Sequence, residues 1–457
     1  MQSKNGSLVS FSRAVDELLA GRLPSMMGLM RELFPICRSL TGPGVRQTLD
    51  LIEQSGVRLQ RTSIPTGTAC FDWEVPREWS VRDAYVCDPS GNKVIDFQQS
   101  NLHLVGYSVP VRARMRLADL QPHLHSLPEQ PDAIPYRTSY YNEYWGFCLS
   151  HEQREKLADG EYEVVIDTTL EPGNLDYATA RLAGTGSDII LLSTYICHPS
   201  LANNELSGPV LVATLMKLLA SLPPMRHSIE AVFVPETIGT IAYLSQHYRE
   251  LLQSLRAGYV VSCVGDDGPY TYVRSKRHNS LADKAAEHVF RFLPPGHKVH
   301  IKDFSPVGSD ERQYCSPGLN LPVGSILRSR HGEYAQYHTS KDDLSFVCEA
   351  GLAGALRVYL RVLQALELNC RPVRTNPFCE PQLGKRGLYP SLGTEGLEHA
   401  VTRLIYLLSY ADGEHDLIDI ANLLPCPVWE LSETLEKLVA ADLIRLNGVA
   451  AVGPLVS

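Results

Sequence analysis

The feature that most constrains this chain is an alternation that begins near Gly184. Apolar runs of strand length are followed by apolar-periodic runs of helix length. "DIILLSTYICH" leads to "GPVLVATLMKLLASL", and "HSIEAVFVPE" to "IGTIAYLSQHYRELLQSL". "AGYVVSCVG", "SLADKAAEHVFRFL", "LPVGSILRS" and "EAGLAGALRVYLRVLQALEL" follow. Strands that are apolar throughout need cover on both faces, and connections of helix length allow parallel neighbours. The expectation is an α/β domain over residues 166–370, with a mixed, mostly parallel sheet and helices on both faces.

The flanks read differently. Residues 12–60 space their apolar side chains three and four apart, as helices of the same domain, with a break at Gly42, Pro43 and Gly44. Residues 61–165 carry short β-type runs and the turn Pro89-Ser90-Gly91-Asn92, which predicts a β-rich insertion with a hairpin. Residues 371–392 are rich in Pro and Arg and read as a linker. Residues 393–457 read as three helices and a hairpin through Asn447-Gly448, the pattern of a winged helix.

Charge and cysteine usage narrow the function classes. The net charge is −9, and the third C-terminal helix sets Glu430, Glu433 and Glu436 against Lys437. A nucleic-acid reader needs a basic face, so protein contact or homo-oligomer formation is the expectation for this unit. Eleven cysteines are scattered without a CxxC pair, several in apolar runs. That is the distribution of reduced thiols in a cytoplasmic protein. No window reaches the roughly 20 apolar residues of a membrane span.

Chemistry is expected where strands end, because loops there converge. His198 ends the first strand, with Asn204 and Glu205 in its loop. Glu236 follows the second, and Asp266 and Asp267 the third. Asp310, Glu311, His331, Glu333, His338, Asp342 and Asp343 sit in two later loops. Two histidines with carboxylates and a further glutamate make the inventory of a hydrolytic zinc site, in which the metal lowers the pKa of its water to about 7.

The order His198, "NNELSG", Glu236, "CVGDD" and "YHTSKDD" resembles the co-catalytic zinc aminopeptidases, the exopeptidases related to glutaminyl cyclases. "LFPICRSLTG", "YWGFCLSH", "CHPSLANNELSGP", "PETIGTIAYL", "GSDERQYCSPG" and "YHTSKDDL" are similar to a narrower group. This is the aminopeptidase-like family of uncharacterised function with an inserted β-domain and a C-terminal winged helix. The resemblance implies metal ligands at His198 and His338 and a general base at Glu236. It also shows departures. The Asp that orients the first histidine falls on Ser200, the bridging Asp on Asn204, a ligand Glu on Thr237, and a ligand Asp near Ser262.

Two close divalent cations need anionic ligands to offset their repulsion. With Asn204 and Thr237 neutral, one zinc is expected rather than two. Glu205 is the first candidate for its carboxylate, with Asp266 and Asp310 as alternatives and Asn204 and Asp267 as further ligands or supports. Substrate contacts are expected from Arg38, Tyr140, Tyr141, Trp145, Arg312 and Glu333. The expected function is a zinc-dependent aminopeptidase-like hydrolase acting on an amide next to a free amine, in a small peptide or aminoacyl conjugate. An acyl-transfer or cyclising enzyme of glutaminyl-cyclase type, and a non-catalytic binding or assembly protein, are the alternatives.

Overall fold

The computed structural model describes residues 5–388 and 397–447. Its centre is an eight-stranded sheet. The spatial order is Gln60–Pro65, Asn174–Leu182, Ser228–Val234, Ile189–Tyr195, Leu255–Val260, Val323–Leu327, Tyr270–Val273 and Val299–Lys302. The four middle strands, from Ser228–Val234 to Val323–Leu327, run parallel, and antiparallel pairs join them to both flanks. The expected mixed, mostly parallel sheet is present.

The Ile189–Tyr195 strand is buried along its whole length, as its continuous apolar run requires. Ile190 and Leu192 join one core with the helices Ser207–Ala220, Leu281–Arg291 and Glu349–Leu368. Ile189 and Leu191 face a second core that includes the helix Ile238–Ser254. The period of two thus divides one strand between two cores on opposite faces of the sheet.

The insertion leaves the sheet after Pro65 and returns at Asn174, because Gln60–Pro65 pairs antiparallel with Asn174–Leu182 in the main sheet. Within it, Lys93–Asp96, Glu78–Cys87, Glu161–Glu171 and Val111–Arg116 form a four-stranded antiparallel sheet. One loop of the insertion reaches the loop that carries His338. Pro135 bridges Thr339, and the Tyr136 N–H donates to the His338 carbonyl at 2.7 Å.

The C-terminal unit holds the helices Leu397–Tyr410, Leu417–Leu423 and Ser432–Ala440. Its strand Ile444–Asn447 pairs antiparallel with Arg371–Arg374, so the start of the segment read as a linker is a strand of this unit. The far arm of the hairpin through Asn447-Gly448 lies outside the described residues. The unit is docked on the helix Leu281–Arg291. Lys284 Nζ lies 2.7 Å from Asp416 and 2.9 Å from Asp419, and the Val428 N–H donates to His288 Nε2 at 2.9 Å. Among the described residues, no helix is long and apolar enough to cross a membrane.

Candidate active site

The loop after the Ile189–Tyr195 strand carries His198 and then winds Ala202–Leu206 into a π-helical turn, closed by a Leu206 N–H to Leu201 carbonyl bond of 3.3 Å. Such turns are rare and appear mostly at functional sites. Here the cause is specific. Asp342 accepts from the backbone N–H groups of Asn203 at 2.6 Å and Asn204 at 2.9 Å, from a loop about 140 residues further on. Gly208 follows in the helix, and a Cβ there would lie 2.2 Å from the Val261 carbonyl, so only glycine lets the turn seat this close to the sheet.

The turn puts Glu205 back onto His198. His198 Nδ1 donates to Glu205 Oε2 at 2.7 Å, and Arg38 Nε lies 3.7 Å from Glu205 Oε1. All three side chains are buried. Burial opposes charging the His198 ring, but Cys197 and Glu205 outweigh it and hold its pKa well above the usual value. The other nitrogen, Nε2, lies 3.7 Å from Glu236 Oε2. A carboxylate on Nδ1 that leaves Nε2 facing the site is how metal-ligating histidines are oriented.

Two expected site residues have partners of a different kind in this geometry. Glu205, the first choice for the ligand carboxylate, is turned to the rear of the imidazole and orients it instead. It thereby supplies what Ser200 lacks, since Ser200 Oγ is spent on the Phe34 carbonyl at 2.6 Å. Arg38, expected to hold a substrate carboxylate, is buried and donates to the carbonyls of His198 and Leu33, each at 2.8 Å. It supports the loop from behind.

Cys197, His198 and Glu205 offer donor atoms within 4.8 Å of one another. They make a poor cation site. The Arg38 guanidinium lies 3.7 Å from Glu205 on that side, and burial pushes the Cys197 thiol up to about 11.

The front of the site is assembled from four further segments. The His198 and His338 ring centroids are 5.5 Å apart, and the Tyr136 ring lies 5.1 Å from each. Burial, followed by the neighbouring His198 and His331, pushes the His338 pKa down to about 3, so its ring is neutral and able to ligate. Its Nε2 is buried without a partner. Glu236 Oε1 accepts from Ser309 Oγ at 2.6 Å. Asp310 Oδ1 accepts from the Thr237 N–H at 2.8 Å, while its buried Oδ2 makes no hydrogen bond of ordinary geometry, with the Thr240 hydroxyl beside the carboxylate. Burial and then the nearby Glu236 raise the Asp310 pKa to about 8. Thr237 and His338 have φ of 64° and 55°, a region non-glycine residues rarely adopt, and strain of this kind gathers at functional sites.

The other candidates divide between this cluster and places apart from it. Asp266 is fully engaged by Ser329, Gly268 and the Asn203 amide, at 2.6–3.2 Å, and is a structural anchor rather than a ligand. Asp267 is exposed and paired with Arg328 at 3.2 Å. Glu333 is exposed between Lys302 and Arg330. Trp145 stacks on His123 at 3.6 Å, within the insertion. Tyr141 is half exposed against Trp73, at 5.7 Å between rings. Tyr140 hydrogen-bonds Tyr136 and so belongs to the wall of the site. Arg312 donates to Thr237 Oγ1 at 3.1 Å and keeps a buried, unpartnered Nε. Asn204 donates to the Tyr195 hydroxyl at 2.8 Å, leaving its own Oδ1 buried and unpartnered. Tyr136 and Ser309 were not singled out from sequence. The signal for both was present, in the tyrosine-rich "PYRTSYYNEYW" and in the serine before Asp310.

The unpartnered atoms test the fit of a metal. His338 Nε2 and Asp310 Oδ2 are buried without hydrogen-bond partners, and imidazole and carboxylate are donor types that suit a divalent cation of zinc type.

Comparison with known proteins agrees with this architecture. Residues 27–369 match the model of a domain of unknown function, DUF4910, and residues 371–446 that of a winged helix-turn-helix. A Clostridium acetobutylicum protein named as a putative polysaccharide biosynthesis protein with aminopeptidase-like domain is 43% identical over 420 residues, 92% of this chain and 95% of its own. The crystal structure of a putative peptidase from Clostridium acetobutylicum superposes with a TM-score of 0.86 at 40% identity, covering 98% of this chain and 100% of that one. A zinc aminopeptidase from Bacillus subtilis shares the fold alone, with a TM-score of 0.54 at 11% identity over 75% of this chain and 95% of that one. The chain is therefore a member of the DUF4910 family, an aminopeptidase-like domain joined to a C-terminal winged helix.

Proposed function

We propose that this protein is a single-zinc hydrolase acting on an amide next to a free amine, in a small peptide or an aminoacyl conjugate. The observation that carries the reading is the His198–His338 pair. Both rings face one space, one is oriented from behind by Glu205, and Glu236 stands 3.7 Å from His198 Nε2. The fold shared with zinc aminopeptidases supports it. The polysaccharide biosynthesis in the name of the 43% identical relative supports aminoacylated sugars among the conjugates.

His198, His338 and Asp310 would hold the ion. Asp310 reaches the backbone of Thr237, where the aminopeptidase pattern places a ligand glutamate, and so returns a carboxylate to that position. A bound zinc ion supplies Lewis acidity toward the amide carbonyl and acidifies a water. Glu236 then takes the proton of the attacking water and passes it to the leaving amine, with Ser309 fixing its other oxygen. Tyr136 and Tyr140 would wall the site against bulk water, and Arg312, which donates to Thr237 Oγ1, would meet a substrate carboxylate.

The test is a pair of variants read by metal analysis and by turnover of aminoacyl amides. Glu236→Gln is expected to keep zinc and lose turnover at least about a hundredfold, whereas Asp310→Asn is expected to lose zinc. Wild-type protein that binds no stoichiometric zinc would sink the reading.

A further inference from the structure

A second cavity, of about 690 Å³, lies away from the histidine cluster and shares no lining residue with it. It opens between the helices Asn5–Ala20, Leu281–Arg291 and Glu349–Leu368, and the turn Val428–Leu431 of the winged helix closes one side. A volume of this size suits a small-molecule ligand. Leu19, Val289, Phe292 and Val358 make much of its wall apolar.

Its wall carries three arginines, with His297 against the Tyr270 ring at 5.2 Å. Arg328 is buried, lies over the Tyr270 ring at 4.0 Å, and keeps an unpartnered Nε. Arg361 lies over the Trp429 ring at 4.4 Å. Stacking fixes both guanidinium planes before any ligand arrives. Arg357, exposed at the rim, donates to the Leu19 carbonyl at 2.7 Å and has no carboxylate partner among the described residues. Among the described residues, the acids on the wall are Asp267, paired with Arg328, and Asp16, paired with Arg361. Three guanidinium groups against two carboxylates leave one positive charge uncompensated.

We propose that this cavity is a ligand site for a small anion with a flat apolar body, its carboxylate or phosphate group held by Arg328 and Arg357. A neutral ligand would leave the rim charge unanswered, and a compact inorganic anion would leave the apolar wall unfilled. With Trp429 on one wall and Tyr270 on another, the ligand would touch the α/β domain and the winged helix together.

Fluorescence titration of the full chain with 2-naphthoate, 2-naphthyl phosphate and neutral 2-naphthamide tests this. Saturable binding of at least one anion is expected, about tenfold tighter than the amide. Arg357→Met should weaken that anion about fivefold and Arg328→Met by more, with Glu236→Gln unchanged. The preferred anion tells carboxylate from phosphate. Absence of saturable binding for both anions would overturn the proposal. So would affinity indifferent to charge and to Arg357→Met, a surface change that leaves the fold intact even if Arg328→Met does not.

Discussion

His198 Nδ1 and Glu205 Oε2 lie 2.7 Å apart, so the imidazole that opens the loop is aimed by the carboxylate that closes its π turn. The bond fixes which nitrogen faces the site. Glu205→Gln keeps the size of the side chain but not its charge, and zinc affinity is expected to fall about 10–100-fold. Competition with a chelator of known affinity measures it. An unchanged zinc affinity would remove Glu205 from this role.

Asp342 shapes the same turn from the other side. Its two oxygens accept the Asn203 and Asn204 N–H groups, and an asparagine can offer only one acceptor. Asp342→Asn should cost about 1–3 kcal/mol in denaturant unfolding. Zinc occupancy should fall with it, because His198 and Glu205 flank the turn. A variant as stable as wild type would show that the turn holds without this carboxylate.

Arg38 is expected to matter for folding rather than for substrate. Removing it strips two buried carbonyls of their donor and takes a buried cation from beside Glu205. Arg38→Met should destabilise the chain by roughly 3–5 kcal/mol. A raised KM with an unshifted melting temperature would restore the substrate reading.

Glu230, far from the histidines, gives a pH signature of the fold. Burial raises its pKa to about 7 from the ordinary 4.5, against the opposing pull of Arg181. The folded protein therefore holds a proton that the unfolded chain releases. Its contribution is complete below pH 4.5 and declines as pH rises to about 7. Glu230→Gln should raise the stability at pH 8 by on the order of 2 kcal/mol, with the gain vanishing toward pH 4.5. Thermal unfolding across that range, showing no gain at pH 8, would contradict the assignment.

The fold was legible because periodicity encodes burial directly. Ile189 to Tyr195 is apolar or uncharged throughout, and a strand with two covered faces is what such a run permits. The positions of His198, Glu236 and His338 at strand ends were legible for the same reason. The side of the imidazole on which Glu205 sits was not, since it depends on a π turn imposed by Asp342 from another loop. Asp266 and Asp310 look alike in sequence. They differ only in whether neighbouring N–H and hydroxyl groups use up every oxygen, which is a fact of tertiary packing. Arg38 likewise reads as a free cation until burial and two carbonyls claim it.

The bridge from the insertion to the His338 loop has a consequence for biosynthesis. The Ile134 N–H meets Ser340 Oγ across 206 residues of chain, beside the Tyr136–His338 bond. A polypeptide still emerging from the ribosome before His338 owns half of the histidine pair and none of this clasp. Closing so long a loop comes late and slowly. The nascent chain thus passes through most of its synthesis without a completed histidine pair, and the site appears only when the last strand-end loop arrives to claim it.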